Sequence, residues 1–156
     1  MGYYSTLEVS QEKKFSKKFE KVFNEITKKY DDETLKLSPE AEEIHAKFLN
    51  LIKNHFKDTN FKNDLWYLSN YVIEDGWIEP RNGDWMAKHY AGYLLPFLIY
   101  TVAKETNEQI STSISFKFTG EDGEIWGYTV DFKHGKIIEN EYELTPITAS
   151  EYDLLE

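Results

Sequence analysis

Glu139, Glu141 and Glu143, at alternate positions near the end of a 156-residue chain, form its most regular constellation of reactive side chains. Residues two apart on a strand stand about 6.6 Å apart on one face, so the three, with Asp131 nearby, make a ladder of negative charge. Such a ladder commonly protects an edge strand from unwanted pairing. The sharper reading is an acidic docking surface that imitates a nucleic-acid backbone and occupies a basic groove on another protein. Glu121, Asp122 and Glu124, in a glycine-containing turn upstream, extend that surface. A second constellation is the loop GWIEPRNGDW at 76–85, where Trp77, Glu79, Arg81, Asp84 and Trp85 combine rings, carboxylates and the chain's single arginine. Rings with an arginine fork make binding hot spots and ligand clamps; the plainer reading is a long connection pinned to the core by its two tryptophans.

Other chemistry finds little support. Cysteine is absent, which removes disulfides, zinc–thiolate sites and thiol catalysis together. His45, His55, His89 and His134 include no pair at helical metal-ligand spacing. No nucleophile elbow, P-loop or H-E-x-x-H motif is present. No catalytic residue, metal ligand or cofactor is assigned, and the balance leans away from an enzyme.

Charge sharpens the docking reading. Net charge is −10, and residues 120–156 carry ten acids against Lys133 and Lys136, so most of it is concentrated there. Only one of 18 basic residues is arginine, the preferred reader of bases and phosphates. Direct nucleic-acid binding is therefore disfavoured, although Lys13, Lys14, Lys17, Lys18 and Lys21 line the outer face of an expected helix, most simply as a solvated surface. The start MGYYSTLEV lacks the regions of a secretory signal. It matches a myristoylation pattern at Gly2 and Thr6, for which an alternating strand is the plainer explanation. The longest apolar run, residues 91–103, is too short to span a bilayer.

The elements that must position these groups follow from periodicity. Residues 3–9 alternate like a strand. Phe15, Phe19, Val22, Phe23, Ile26 and Tyr30 make a helical stripe, and Ser38-Pro39-Glu40 opens a second helix with Ala41, Ile44, Phe48, Ile52 and Phe56 inward. A third helix is expected from about residue 59 to Glu74-Asp75-Gly76, with Phe61, Leu65, Leu68 and Val72 inward. A fourth, capped by Asp84, should run to about Lys104, with Pro96 kinking it or marking an irregular turn. After Asn107 the period becomes two. Ile114, Phe116 and Phe118 face inward, then Trp126, Tyr128 and Val130, then Ile138, Tyr142 and Leu144, with the glutamates outward.

The opening Met1–Thr6 and the segment Phe116–Lys136, with Gly120, Glu121, Glu124, Trp126, Gly135 and Lys136, resemble a group of small bacteriophage and actinobacterial proteins. Those begin MGYYT and end in a GExxGDxW…DGK hairpin. The group has no assigned activity, so no catalytic residue carries over. The resemblance implies a setting: a phage or mobile-element accessory protein in the cytoplasm of a bacterial host, in the company of inhibitors of host defence such as anti-CRISPR proteins.

The expectation is a single α+β domain over 1–156, with an ordered core at about 1–145 and a mobile acidic tail at 146–156. Three to four helices in the N-terminal part pack on a C-terminal antiparallel meander of three to four strands. The expected function is non-enzymatic docking on a basic host protein, without membrane association. The alternative is a small-ligand or hydrolytic site at 76–85.

Overall fold

The computed structural model describes residues 4–81, 86 and 87, 89–110, 112–142 and 146–155. It is an α+β fold. A six-stranded antiparallel sheet runs in the order β4-β1-β5-β6-β7-β8, beside a separate hairpin, β2–β3. The strands are β1 (Tyr4–Ser10), β2 (Tyr71–Glu74), β3 (Trp77–Pro80), β4 (Met86–Ala87), β5 (Ser113–Gly120), β6 (Ile125–Asp131), β7 (Lys136–Tyr142) and β8 (Pro146–Asp153). The helices are α1 (Lys17–Lys29), α2 (Pro39–His55) and α3 (Leu95–Glu105), with a 3-10 helix at Asp64–Asn70.

The first two helices follow their sequence signals. Ser16 and Ser38 cap them, each hydroxyl accepting a backbone N–H three residues on, from Phe19 at 3.2 Å and Ala41 at 3.3 Å. Phe19, Val22, Phe23 and Ile26 of α1 and Ala41, Ile44, Phe48 and Ile52 of α2 are buried. Tyr30, just past α1, and His45 of α2 join the two helices at 2.5 Å.

The expected third helix is a correction. Phe61, Leu65 and Leu68 are buried as expected, but the helical turns end at Asn70 and the chain becomes a hairpin. Tyr71-Val72-Ile73 is a run of strand formers, and Asp75-Gly76 supplies the two positive φ angles, 50° and 88°, of a tight hairpin turn. Tyr71 and Ile73 face the core, whereas Val72 turns to the half-exposed side. Side chains from elsewhere grip this hairpin by its backbone. The Asn24 amide donates to the Ile73 carbonyl and accepts from the Ile73 N–H, both at 2.9 Å. Glu20 accepts from the Gly76 N–H at 2.8 Å, and the Gln11 amide donates to the Gly76 carbonyl at 2.8 Å. Asn24→Ala strands both Ile73 groups and should lower unfolding stability by about 2 kcal/mol in denaturant titration; a loss under 0.5 kcal/mol would mean that the clamp is dispensable.

The fourth helix is shorter than its apolar pattern. It begins at Leu95, so Pro96 stands in its first turn, where a missing N–H costs nothing; it starts the helix rather than kinking it. Every residue from Leu95 to Ala103 is buried, which makes α3 the central helix between sheet and outer helices. The expected capping residue Asp84 lies outside the described residues.

The sheet has six strands, where a meander of three to four was expected. β1 lies antiparallel to β5, with Leu7 opposite Phe118 and Val9 opposite Phe116. At the other side, residues 146–153 form β8 rather than a mobile tail, with Ile137 opposite Tyr152. Its end is anchored: the Leu154 N–H donates to the Gly135 carbonyl at 2.7 Å, and Leu154 is buried. A terminal strand holds wherever its alternate side chains find the core, whatever its charge.

Candidate docking groove

The turn between β5 and β6 is tightly organised. Gly120 N–H donates to the Glu124 carbonyl at 2.8 Å, Glu121 N–H to the Tyr4 carbonyl at 3.0 Å, and Gly123 takes a φ of 86°. The Asp122 carboxylate accepts from the Glu124 N–H at 3.0 Å. Glu121, Asp122 and Glu124 are therefore held exposed at one end of the sheet. Below them Trp126 lies stacked on Phe118, ring centres 5.6 Å apart and planes within 14°. Trp126 pairs with Glu141, and Tyr128 with Glu139. Gly123, Glu124, Ile125, Trp126, Glu139, Glu141 and Tyr142 line an open groove of 460 Å³ at this end.

The glutamates of β7 do not form the expected outward ladder. Because Val130 pairs with Ile137, Tyr128 with Glu139 and Trp126 with Glu141, Glu139 and Glu141 share the helix-facing side, and Ile138, Asn140 and Tyr142 take the other. A displacement of one residue exchanges the two faces of a strand. The buried residue that sets the register is Ile137, not Ile138. Nor is β7 an edge strand, since β8 covers it, so edge protection does not account for the row. Glu143 lies outside the described residues.

Glu139 instead backs onto tyrosines. The Tyr152 hydroxyl donates to it at 3.5 Å. Burial and then the Glu139 charge push both the Tyr128 and the Tyr152 phenols above their ordinary range. The neighbouring Tyr93 hydroxyl donates to Asp64 at 2.6 Å. These phenols keep their protons, and those of Tyr152 and Tyr93 donate to carboxylates. Nothing in the spacing of the sequence marked this set, because its members come from β6, β7, β8, the 3-10 helix and the segment before α3.

Asp131 stands apart, at the far end of β6. It accepts from the His134 N–H at 3.1 Å and lies 2.8 Å from His134 Nδ1. Partial burial pushes its carboxyl up, but the His134 contacts outweigh this and hold it below the usual range. It belongs to a turn, not to the groove. The structure thus brings together Glu124, Glu139 and Glu141 at the groove, with Glu121 and Asp122 in the adjoining turn, and leaves Asp131 out.

The 76–85 constellation also divides. Trp77 and Glu79 lie exposed on β3, whereas Arg81 bends back on the 3-10 helix, its Nε donating to the Ser69 carbonyl at 2.9 Å. Asp84 and Trp85 lie outside the described residues. Burial, then a hydrogen bond with Glu74, then the charges of Glu74 and Asp75 raise the Glu79 carboxyl. A raised carboxyl costs stability while ionised, and the cost disappears as pH falls through its folded value. Glu79→Gln should therefore gain a few tenths of a kcal/mol at pH 7, given its exposure, and nothing at pH 4. Equal gains at both values would show that the effect is not the carboxylate pair.

Among the described residues no group of three or more His, Cys, Asp or Glu is placed to hold a metal ion, and no helix is long and apolar enough to cross a membrane. No protein-family model, curated protein or solved structure matches the chain.

Proposed function

We propose that this protein is a non-enzymatic acidic interaction protein that docks the β5–β6 end of its sheet on a basic partner. The observation that carries this reading is the groove in which Glu124, Glu139 and Glu141 surround Trp126, with Glu121 and Asp122 beside it. A lysine or arginine side chain of the partner suits this place. Its stem packs along Ile125, its cationic head meets the indole face, and the carboxylates supply charge-assisted hydrogen bonds. A basic surface so occupied is closed to a phosphate backbone. Together with the resemblance to phage proteins, this supports an inhibitor of a host nucleic-acid-handling or defence protein, of the anti-CRISPR kind, acting in the bacterial cytoplasm.

The test is affinity capture from bacterial lysate at low and moderate salt, identified by mass spectrometry. The reading expects a basic, nucleic-acid-handling protein that salt releases; the same proteins captured after charge reversal of the groove would refute it. A second reading, a small-ligand or hydrolytic site, rests on exposed Trp77 beside the raised carboxyl of Glu79. It expects a thermal shift with small molecules that Trp77→Ala removes.

A further inference from the structure

His89 is only 4% exposed, yet its ring is half satisfied. Nδ1 lies 2.7 Å from the Tyr71 hydroxyl, and the backbone N–H donates to Ser5 Oγ at 3.1 Å. Nε2 is buried and has no hydrogen-bond partner among the described residues. The residue thus ties β1 and β2 together and begins a short strap, His89–Leu94, closed by Gly92 N–H to the His89 carbonyl and Leu94 N–H to the Ala91 carbonyl, both at 2.9 Å. The strap lies hard on β5. The imidazole is 5.0 Å from the Phe118 ring, and a Cβ added at Gly92 would come within 2.9 Å of Phe118 Cζ. Trp126 of the groove stacks on that same ring.

Among the described residues, the groups around the imidazole compensate a positive charge only in part: the Ser5 backbone favours the protonated ring, and burial outweighs it. From β1 it meets Ser5, from β2 Tyr71 and from β5 Phe118; Tyr71 is the titratable group among them, and burial keeps its phenol neutral. On the strap itself Tyr90 contacts Tyr67 and Tyr93 is bonded to Asp64. An imidazolium has two N–H donors, and among the described residues the phenol oxygen can accept one while Nε2 makes no hydrogen bond. A buried, half-paired cation costs several kcal/mol.

We propose that the strap His89–Leu94 is an acid-operated latch, which lifts from Phe118 when His89 is protonated and so withdraws the support beneath Trp126. The latch stands on its own geometry; only its consequence for partner capture rests on the docking reading.

Burial lowers His89 from 6.5 to about 4, against a smaller opposing effect of the Ser5 contact. Once the strap is lifted the ring regains its ordinary value. The closed form is therefore fully favoured above pH 6.5, loses ground as pH falls and levels off below about pH 4. Linkage between these two values gives about a tenfold rise in the opening equilibrium by pH 5.5 and about 75-fold by pH 4.5.

Native-state hydrogen exchange on the full chain tests this, with protection factors corrected for intrinsic rates. The Gly92 and Leu94 amides should lose protection by about those factors between pH 7.5 and 4.5, while Val130 at the sheet centre holds steady. In His89→Asn the pH dependence at Gly92 and Leu94 should vanish. Strap protection that ignores pH, that falls together with Val130, or that keeps its pH dependence in His89→Asn would overturn the latch. If the variant does not fold, the comparison of strap with Val130 in the unaltered protein still decides. Neither arm depends on a partner, so failure of the docking reading leaves the result intact.

Discussion

Gly76→Ala is expected to lower unfolding stability by about 3 kcal/mol, through two effects that arise at one atom. The residue has a φ of 88°, a region that costs an L side chain roughly 1–2 kcal/mol. The added methyl would also stand 2.6 Å from Lys14 Cβ and 3.0 Å from the Phe15 carbonyl oxygen, where overpacking costs about 1–3 kcal/mol more. Neither neighbour yields easily, since the Phe15 N–H donates to the Gly76 carbonyl at 2.9 Å. To relieve the contact the hairpin must shift and loosen the bonds from Glu20 and Gln11. The matched control is Asp75→Gly: its φ of 50° is also positive, and glycine accepts that conformation freely, so stability should change by less than about 1 kcal/mol. Denaturant titration of the two variants measures both. A tolerated alanine at position 76 would mean that the turn is not pressed against the chain ahead of α1, and that the account of how hairpin and helix are joined is wrong.

The second large effect is functional. Glu121, Glu124 and Glu141 are exposed; Glu124 and Glu141 line the groove, and Glu121 stands in the turn beside it. Converting all three to lysine takes the net charge from −10 to about −4 and places repulsion where attraction is proposed. Capture of a basic partner should weaken by about 100-fold or more, chiefly through slower association, while the melting temperature stays within a few degrees. Glu139 is left alone because it backs onto Tyr152 and Tyr128, and its reversal would confuse folding with binding. The control reverses Glu33, Glu42 and Glu43, equally exposed but on the helical side of the chain. Equal losses in both triple variants would reduce the interaction to net charge alone, and no loss in the groove variant would end the docking proposal. At high salt the wild-type advantage should shrink, as exposed charges are screened beyond a Debye length of about 8–10 Å near physiological ionic strength.

Parts of this protein are legible in the residues alone because the physics that shapes them is local. Ser16 and Ser38 cap helices through bonds three residues long, and the stripes of α1 and α2 repeat with the helical period. The alternation in 113–131 correctly points Phe116, Phe118, Trp126 and Tyr128 to the core. Pro96 reads as a kink or an irregular turn, and the structure places it in the first turn instead; where the helix begins is left unmarked by the uniformly apolar run 91–103. Asp75-Gly76, read as a helix stop, is a hairpin turn, and the strand formers before it were the signal that separates the two.

What only the tertiary structure decided is which residues face one another. In β7, Ile137 and Ile138 are both apolar, and the burial of one of them sends every glutamate to the opposite face of the strand. The seventh and eighth strands pair because Tyr152 and Leu154 reach the core, a contact that no local pattern in an acidic terminus announces. His89 is one of four unremarkable histidines until β1, β2 and β5 close around it and leave Nε2 without a hydrogen-bond partner among the described residues. The sequence by itself determined an α+β chain of two strongly amphipathic helices, a buried third and an antiparallel sheet with acids gathered toward its end. The fold decided that some of those acids frame Trp126, that one backs onto tyrosines and that one closes a distant turn. Periodicity is carried by each segment's own backbone geometry, whereas register and burial are set by competition among segments far apart in the chain.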